Sequence, residues 1–526
     1  MVKVLIADAL SERAVEIFRA RGIETDVKTG LSRDELVAII GEYDGLAVRS
    51  STKVTGPVLA AATRLKVVGR AGIGVDNIDV EAATRAGVVV MNTPFGNSIT
   101  TAEHAIALMF ALARELPAAD RSTQAGKWEK NRFMGVELFG KTLGVIGCGN
   151  IGAIVADRAQ GLKMKVAAYD PYLSEERATA LGVEKVELDE LLARADFITL
   201  HTPLTESTRG ILNRQAFAKC RRGVRIINCA RGGLIVEADL KEALDSGQVA
   251  GAALDVFPVE PARENILFGH DKVICTPHLG ASTLEAQENV ALQVAEQMSD
   301  YLLTGAVVNA INTPSVSAED AQRLKPYLRL AELLGLCLGQ LVGNEGFASV
   351  AVEAEGQAAS LDLKPVVAAA VAGLLRPSND TVNMVNAVPI ARTRGIEVAE
   401  VRHERDGDYQ SLLRLTVTGE GGQRTVAGTL FGGAKPRLVD LEGIPVEADF
   451  GGHMLYTRNH DKPGYIGALG TRLGAAGVNI ATFHLGRNAP GGAALALVEV
   501  DGAIPEPVIA EIRALPQVER VRTLRF

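Results

Sequence analysis

The segment Thr142-Leu143-Gly144-Val145-Ile146-Gly147-Cys148-Gly149-Asn150-Ile151-Gly152 runs a strand pattern directly into G-x-G-x-x-G and onward into a helix from Ile151. Few folds accommodate that junction. Gly147 makes the tight turn, Gly149 lets backbone approach a pyrophosphate, and Gly152 lets helix and strand pack closely. The start of the helix adds unpaired N–H groups and partial positive charge where the pyrophosphate would lie. The next strand leads to Asp170, 18 residues beyond Gly152, where a carboxylate is placed to bind ribose hydroxyls. Pro171-Tyr172-Leu173-Ser174 offers no Arg or Lys to a 2′-phosphate, so NAD is favoured over NADP.

Around this junction the chain reads as two α/β series. Strand and helix patterns alternate over 2–7, 11–20, 46–49, 65–69 and 88–91, which implies a parallel layer. A helix-forming run over 101–116 leads into the second series, with strands expected at 143–146, 166–169, 197–200, 225–228, 251–254 and 273–275. A long helical pattern over 283–303 follows, and packing it back onto the first layer would complete that layer with residues from beyond the second. At roughly 150 residues per domain, 526 residues suggest three or four domains, so a tail remains to be explained. Residues 312–452 read as two helical stretches with β-like alternation and glycine turns at 419–422 and 432–433. From 453 the order strand, helix, strand, strand, helix, strand is the ferredoxin-like pattern.

Hydrophobic residues at 47% and charged ones at 22%, without a low-complexity tract, describe a folded globular chain. With 55 basic and 63 acidic residues the formal charge is −8, which argues against nucleic-acid or membrane-surface partners. The five cysteines, Cys148, Cys220, Cys229, Cys275 and Cys337, include no C-x-x-C pair; they read as reduced packing residues, with no metal site. No apolar run at the N-terminus reaches signal length, and the longest run, 366–375, is half a membrane span, so a cytoplasmic protein is expected.

Hydride transfer to NAD requires a proton carrier and a cation to orient the substrate. Arg231, in Asn228-Cys229-Ala230-Arg231-Gly232-Gly233, follows a strand at the sheet edge where ligands bind. Its guanidinium can hold a carboxylate bidentately and polarise an adjacent carbonyl. His278, in Thr276-Pro277-His278-Leu279, follows the last strand and can take a hydroxyl proton; Glu260, in Asp255-Val256-Phe257-Pro258-Val259-Glu260-Pro261, can orient the ring and raise its pKa. Each residue alone fits an ordinary surface or structural role. Their joint occurrence after successive strands of one dinucleotide fold favours catalysis.

At this point the sequence resembles the D-isomer-specific 2-hydroxy acid dehydrogenases. The matching residues are 48–52, Gly69-Arg70-Ala71-Gly72-Ile73-Gly74-Val75-Asp76-Asn77-Ile78-Asp79, Asn92-Thr93-Pro94 with Asn97-Ser98, the glycine fingerprint, His201-Thr202-Pro203-Leu204 and the set Arg231, Glu260 and His278. The resemblance is dense over 1–311. It implies an α/β architecture in which a Rossmann-like NAD domain (99–283) is inserted in a split flavodoxin-like substrate domain (1–98 and 284–311). By the same resemblance Arg231 binds the substrate carboxylate, Glu260 partners the histidine and His278 is the acid/base. The NAD contacts implied are Ile73, Gly147, Gly149, Asn150, Ile151, Gly152, Asp170, Thr202, Cys229, Ala230, Arg231, Asp255, His278, Leu279, Gly280 and Ala281. Arg49, Ser50, Arg70 and Asn97 join Arg231 and His278 on the substrate. Two further cations suit a phosphorylated acid better than lactate. Residues 126–132 match a family segment that reaches a neighbouring subunit, so Lys130 or Arg132 could add charge there.

The length and tail resemble the long-form phosphoglycerate-oxidising branch of that family. That implies an α+β intervening domain over 312–452, with Lys435 and Arg437 as cationic candidates, and a ferredoxin-like ACT domain over 453–526. In Asn459-His460-Asp461-Lys462-Pro463-Gly464 and Gly477-Val478-Asn479-Ile480, the positions Asn459, Asp461 and Asn479 match an L-serine sensor, although Asn459 stands where His or Tyr is often found. The resemblance also implies a homotetramer. The expected activity is oxidation of D-3-phosphoglycerate to 3-phosphooxypyruvate with NAD. Alternatives are a dehydrogenase for another 2-hydroxy acid, such as 2-hydroxyglutarate or glyoxylate, and an NAD-sensing corepressor or scaffold. The intact Arg231, Glu260 and His278 set disfavours the last, because a sensor needs no proton carrier.

Overall fold

Strands such as Gly45–Val48 and Val89–Met91 bury every residue, so both faces of their sheet must be covered by helices. The computed structural model describes residues 1–316, 318–343, 345–403 and 408–526. Its first sheet is fully parallel, in the order Glu24–Val27, Lys3–Ile6, Gly45–Val48, Val67–Arg70, Val89–Met91. This is the flavodoxin-like order expected. The strand Glu24–Val27 escapes the sequence pattern because it is a charged edge, with Glu24 and Asp26 both paired to Lys3.

The helix Leu284–Thr304 lies back on this first sheet, where Val290, Ala291, Val294, Ala295 and Met298 share a core with Val4, Ile6 and Phe18. Gly69 makes the approach possible: a Cβ there would stand 2.2 Å from the sulfur of Met298. The second sheet, also parallel, has the order Val273–Cys275, Val249–Leu254, Val224–Asn228, Phe197–Leu200, Thr142–Ile146, Lys165–Tyr169, Glu184–Lys185. Its order reverses between Thr142–Ile146 and Phe197–Leu200, and that switch point is where α/β sheets open a ligand crevice. The single helix expected over 101–116 is two, Ser98–Ala113 and Leu116–Gln124, separated by Glu115 in a left-handed conformation (φ 52°).

The tail holds two more sheets. One is mixed and six-stranded, with Glu397–His403 parallel to Ser349–Gly356 and the remaining pairs antiparallel. Three α-helices accompany it among the described residues rather than the two expected: Ala318–Val342, Leu363–Leu375 and Ala387–Thr393. The apolar run 366–375 belongs to the second, a buried helix held against the first through small residues, since a Cβ on Gly335 would lie 2.1 Å from the Ala370 carbonyl oxygen. Among the described residues no helix is long and apolar enough to cross a membrane. The last sheet is antiparallel in the order Ile480–Arg487, Ala493–Val500, Met454–His460, Val518–Leu524, the ferredoxin-like arrangement, with helices Tyr465–Ala475 and Glu506–Arg513. The cysteines form no disulfide, and Cys275 is exposed where a packing role was expected.

The two tail sheets share one core, in which Met454, Tyr456, Leu495, Leu497 and Leu524 cluster with Leu330 and Leu334. Glu442 ties them electrostatically, its side chain only 8% exposed. It accepts hydrogen bonds from the Tyr456 hydroxyl at 2.7 Å and from Arg424 and Arg458 at 2.8 Å each. Burial alone would raise the carboxyl, but these donors hold it below the usual carboxylate range. Glu442→Gln removes the anion that Arg424 and Arg458 share while each keeps a second carboxylate, Glu345 and Glu519, and is expected to lower tail stability by about 1–2 kcal/mol. A depressed carboxyl stabilises in full above its unfolded pKa and loses that contribution as pH falls through its folded one, so the difference should be full at pH 7 and fade under acid. Urea midpoints of both forms against pH check this, and coincident midpoints at pH 7 would refute it.

Candidate active site

The glycine junction has the geometry its sequence requires. Gly147 has φ 89°, and a Cβ there would lie 2.7 Å from the His201 carbonyl oxygen. A Cβ on Gly152 would lie 2.1 Å from the Gly147 carbonyl oxygen, whereas Gly149 has nothing within 4 Å of that position. Free space therefore lies over the glycine that begins the helix Asn150–Gly161. Asp170 closes the far side, accepting from the Cys148 N–H at 2.8 Å and from the Tyr172 N–H at 2.8 Å. Open backbone, a helix start and an adjacent carboxylate fit the pyrophosphate and ribose of NAD. Thr202 borders the same turn, its nitrogen 2.9 Å from where a Gly147 Cβ would stand. Cys229 is buried, and burial pushes its thiol well up, so it is a neutral neighbour.

Arg231 is positioned by a polar turn. The Asn228 side chain, 1% exposed, accepts from the Ala230 N–H at 3.0 Å and donates to the Arg231 carbonyl at 2.8 Å. Gly232 is required beside it, because a Cβ there would stand 2.0 Å from the Phe257 backbone. His278 meets Glu260 with Nδ1 2.6 Å from Oε2, while Oε1 of Glu260 accepts from the Phe257 N–H at 2.9 Å. The hydrogen bond that Nδ1 donates to Glu260 raises the imidazole above its ordinary value against the opposing effect of burial.

Asp255 is wholly buried, and its carboxylate accepts from the Thr276 hydroxyl at 2.6 Å and from the Leu279 and Gly280 N–H groups at 2.7 and 2.8 Å. It thereby braces the turn carrying His278, whose φ of 56° is uncommon for a residue with a side chain. His104 reaches the same carboxylate at 3.3 Å.

Across from this set the first sheet contributes Arg49, Ser50 and Arg70. Asp8 fixes the 49–52 loop, accepting from the Arg49 N–H at 2.6 Å and the Thr52 hydroxyl at 2.9 Å. Ser50 is exposed at its tip. Arg70 lies deeper, and burial together with the nearby Arg231 and Arg49 guanidiniums presses it down to about 10. Its Nε has no hydrogen-bond partner among the described residues, nor does Oδ1 of Asn97. The loop carrying Ile73 is held by Asn92, which donates to the Ile73 carbonyl at 2.6 Å, and by Thr93, which accepts from the Gly72 N–H at 2.6 Å. Arg231 crosses to this loop and pairs with Asp76 at 3.0 Å. Roles for Asp76, His104 and Asn228 escaped the sequence reading, although Asp76 stood inside a quoted motif; only the fold brings the first two against the site.

The remaining candidates lie elsewhere. Arg132 pairs with Glu129 at 3.3 Å, and the segment around it exposes Trp128 (87%) and Met134 (78%). Asp461 accepts from Arg487 at 2.8 Å, Asn479 donates to Asp501 at 2.7 Å, and Asn459 is buried. Lys435 and Arg437 sit on the strand Lys435–Leu441, and Arg437 pairs with Asp449.

Comparison with known proteins places the chain in a family. Residues 106–280 match the family described as D-isomer specific 2-hydroxyacid dehydrogenase, NAD binding domain, and residues 323–442 match the D-3-phosphoglycerate dehydrogenase intervening domain. A D-3-phosphoglycerate dehydrogenase of Synechocystis is 44% identical over 528 residues, covering 100% of this chain and 95% of that protein. One from Bacillus subtilis is 41% identical over 527 residues, covering 100% and 99%. Among solved structures, a glyoxylate reductase from Paecilomyes thermophila superposes with TM-score 0.55 at 30% identity, covering 59% of this chain and 98% of its own. The apo D-lactate dehydrogenase of Escherichia coli gives TM-score 0.53 at 28% identity, covering 59% and 100%.

Proposed function

The chain belongs to the D-3-phosphoglycerate dehydrogenase family, and on that premise we propose that Arg231, Glu260 and His278 perform its reaction in the cleft between the two parallel sheets. The enzyme oxidises D-3-phosphoglycerate to 3-phosphooxypyruvate with NAD, the first step of L-serine biosynthesis. When bound, NAD would supply the acceptor for the hydride at C2 of the substrate. It would be held by Gly147, Gly149, Asn150, Ile151, Gly152 and Asp170. His278 keeps Nδ1 toward Glu260, which leaves Nε2 to take the C2 hydroxyl proton as the carbonyl forms. Glu260 fixes the ring and stabilises its protonated form. Arg231 holds the carboxylate and polarises the oxygen at C2.

The observation that carries this reading is the convergence of Arg49, Arg70 and Arg231, with Arg70 half-buried and its buried Nε unpartnered among the described residues. A half-buried cation crowded by two others calls for an anion, and the substrate brings a phosphate as well as a carboxylate. Purified protein with D-3-phosphoglycerate, NAD and a product trap should generate NADH absorbance. Because only neutral His278 accepts the proton, and its pKa is raised above 6.5, the rate should climb with pH through a value above 6.5. No NADH at any alkaline pH, or faster turnover of a 2-hydroxy acid without phosphate, would refute it.

The four sheets support domains at 1–98 with 284–311, 99–283, 312–452 and 453–526. The exposed Leu116, Trp128, Met134 and Phe139 support a homotetramer built in part through that segment, which would bring Lys130 or Arg132 to a neighbouring site. L-Serine is assigned to Asn459, Asp461 and Asn479 on the ferredoxin-like unit, and the location to the cytoplasm.

A further inference from the structure

Arg231 contacts more than its own loop. Its Nε and Nη2 both address Oδ2 of Asp76 at 3.0 Å, and its Nη1 donates to the Ala230 carbonyl at 2.7 Å. A guanidinium carries five N–H groups. The bonds to Asp76 occupy the edge formed by Nε and Nη2, so one hydrogen each on Nη1 and Nη2 is left for a second anion. Asp76 belongs to the loop after the first-sheet strand Val67–Arg70, whereas Arg231 follows the second-sheet strand Val224–Asn228. The pair therefore spans the cleft, and 155 residues of chain separate its members.

The local backbone is shaped for this contact. A Cβ on Gly74 would stand 1.8 Å from Nη2 of Arg231 and 2.8 Å from Oδ2 of Asp76, so a larger residue there would push the guanidinium away. The Asp76 side chain is 68% exposed and that of Arg231 is 30% exposed. An exposed carboxylate contributes little to stability through such a pair. Its effect is orientation: it fixes the guanidinium plane, close enough to Arg70 and His278 to act on both electrostatically.

We infer that Asp76 is a positioning residue for substrate, which holds Arg231 across the cleft so that its free N–H groups present a preformed fork to the carboxylate. Asp76 touches neither the transferred proton nor the dinucleotide turn. The inference rests on the role proposed above for Arg231, and a double-mutant cycle separates the two.

Asp76→Asn is expected to raise KM for D-3-phosphoglycerate and lower kcat/KM about tenfold or more, since a charge-assisted hydrogen bond is lost from an orienting pair. The affinity for NADH, measured by calorimetry, should change less than about twofold, and the pH at which kcat rises should stay in place, because neither depends on Asp76. Asp76→Glu keeps the carboxylate and should recover part of the loss. On an Arg231→Gln background, Asp76→Asn should have no further effect. An undiminished loss on that background, or a displaced pH profile, would overturn the inference. If Arg231→Gln alone retained full turnover, the assignment of Arg231 would fail first and this one with it.

Discussion

His278→Asn is expected to cut kcat about a thousandfold while leaving NADH affinity within a few-fold of the parent enzyme. The magnitude follows from what the side chain does. A positioned general base contributes roughly two to four orders of magnitude, and the other imidazole at the end of the Val273–Cys275 strand, His104, is turned to Thr276 and Asp255 rather than to Glu260. Asparagine is the informative replacement because it tolerates the left-handed φ of 56° that His278 adopts, whereas most side chains would strain the turn. The carboxylate of Asp255 still anchors the Leu279 and Gly280 N–H groups in the variant, so the dinucleotide side of the turn keeps its shape. Steady-state kinetics and calorimetric titration with NADH read the two halves separately. Residual turnover should also lose its rise with pH, because the group whose raised pKa sets that limb is gone. Turnover within tenfold of the parent enzyme would remove His278 from the chemistry.

Much of this site was legible in the sequence because its parts are local. The three glycines of 147–152 each have one physical job over a few residues, and the structure shows a positive φ, an open face and a close backbone contact at the three positions. The strand-end placement of Arg231 and His278 follows from counting α/β units, since ligands collect at the carboxyl edge of such sheets. What escaped depends on residues far apart in the chain. The contact of Asp76 with Arg231, the approach of His104 to Asp255 and the Glu442 cluster all require tertiary geometry that no spacing rule encodes. The edge strand Glu24–Val27 escaped for another reason: its charged residues are stabilised by Lys3, so it lacks an apolar signature. The tail was divided at 452 by pattern, yet one hydrophobic core runs through both of its sheets.

Arg231→Gln should lower kcat/KM by about two to four orders of magnitude, the second large effect at this site. Two charge-assisted hydrogen bonds to a carboxylate contribute roughly 1.5 to 3 kcal/mol each, and their loss converts to that range of rate. Glutamine keeps length and one amide donor but neither the charge nor the planar fork. Arg231→Lys should fall between, restoring the charge without the bidentate geometry. The loop itself should persist in both variants, because its shape comes from the Asn228 side chain and from Gly232 beneath Phe257 rather than from the guanidinium. NADH affinity should therefore hold while KM for D-3-phosphoglycerate rises and kcat falls together, the fall in kcat reporting the lost polarisation of the C2 oxygen. Removing Arg231 also relieves Arg70 of one of the cations that depress it, so the phosphate end of the pocket should retain its charge. A variant whose KM alone changed would show that Arg231 binds the ground state without assisting the transition state. An unchanged kcat/KM would assign carboxylate recognition to Arg49 or Arg70 instead.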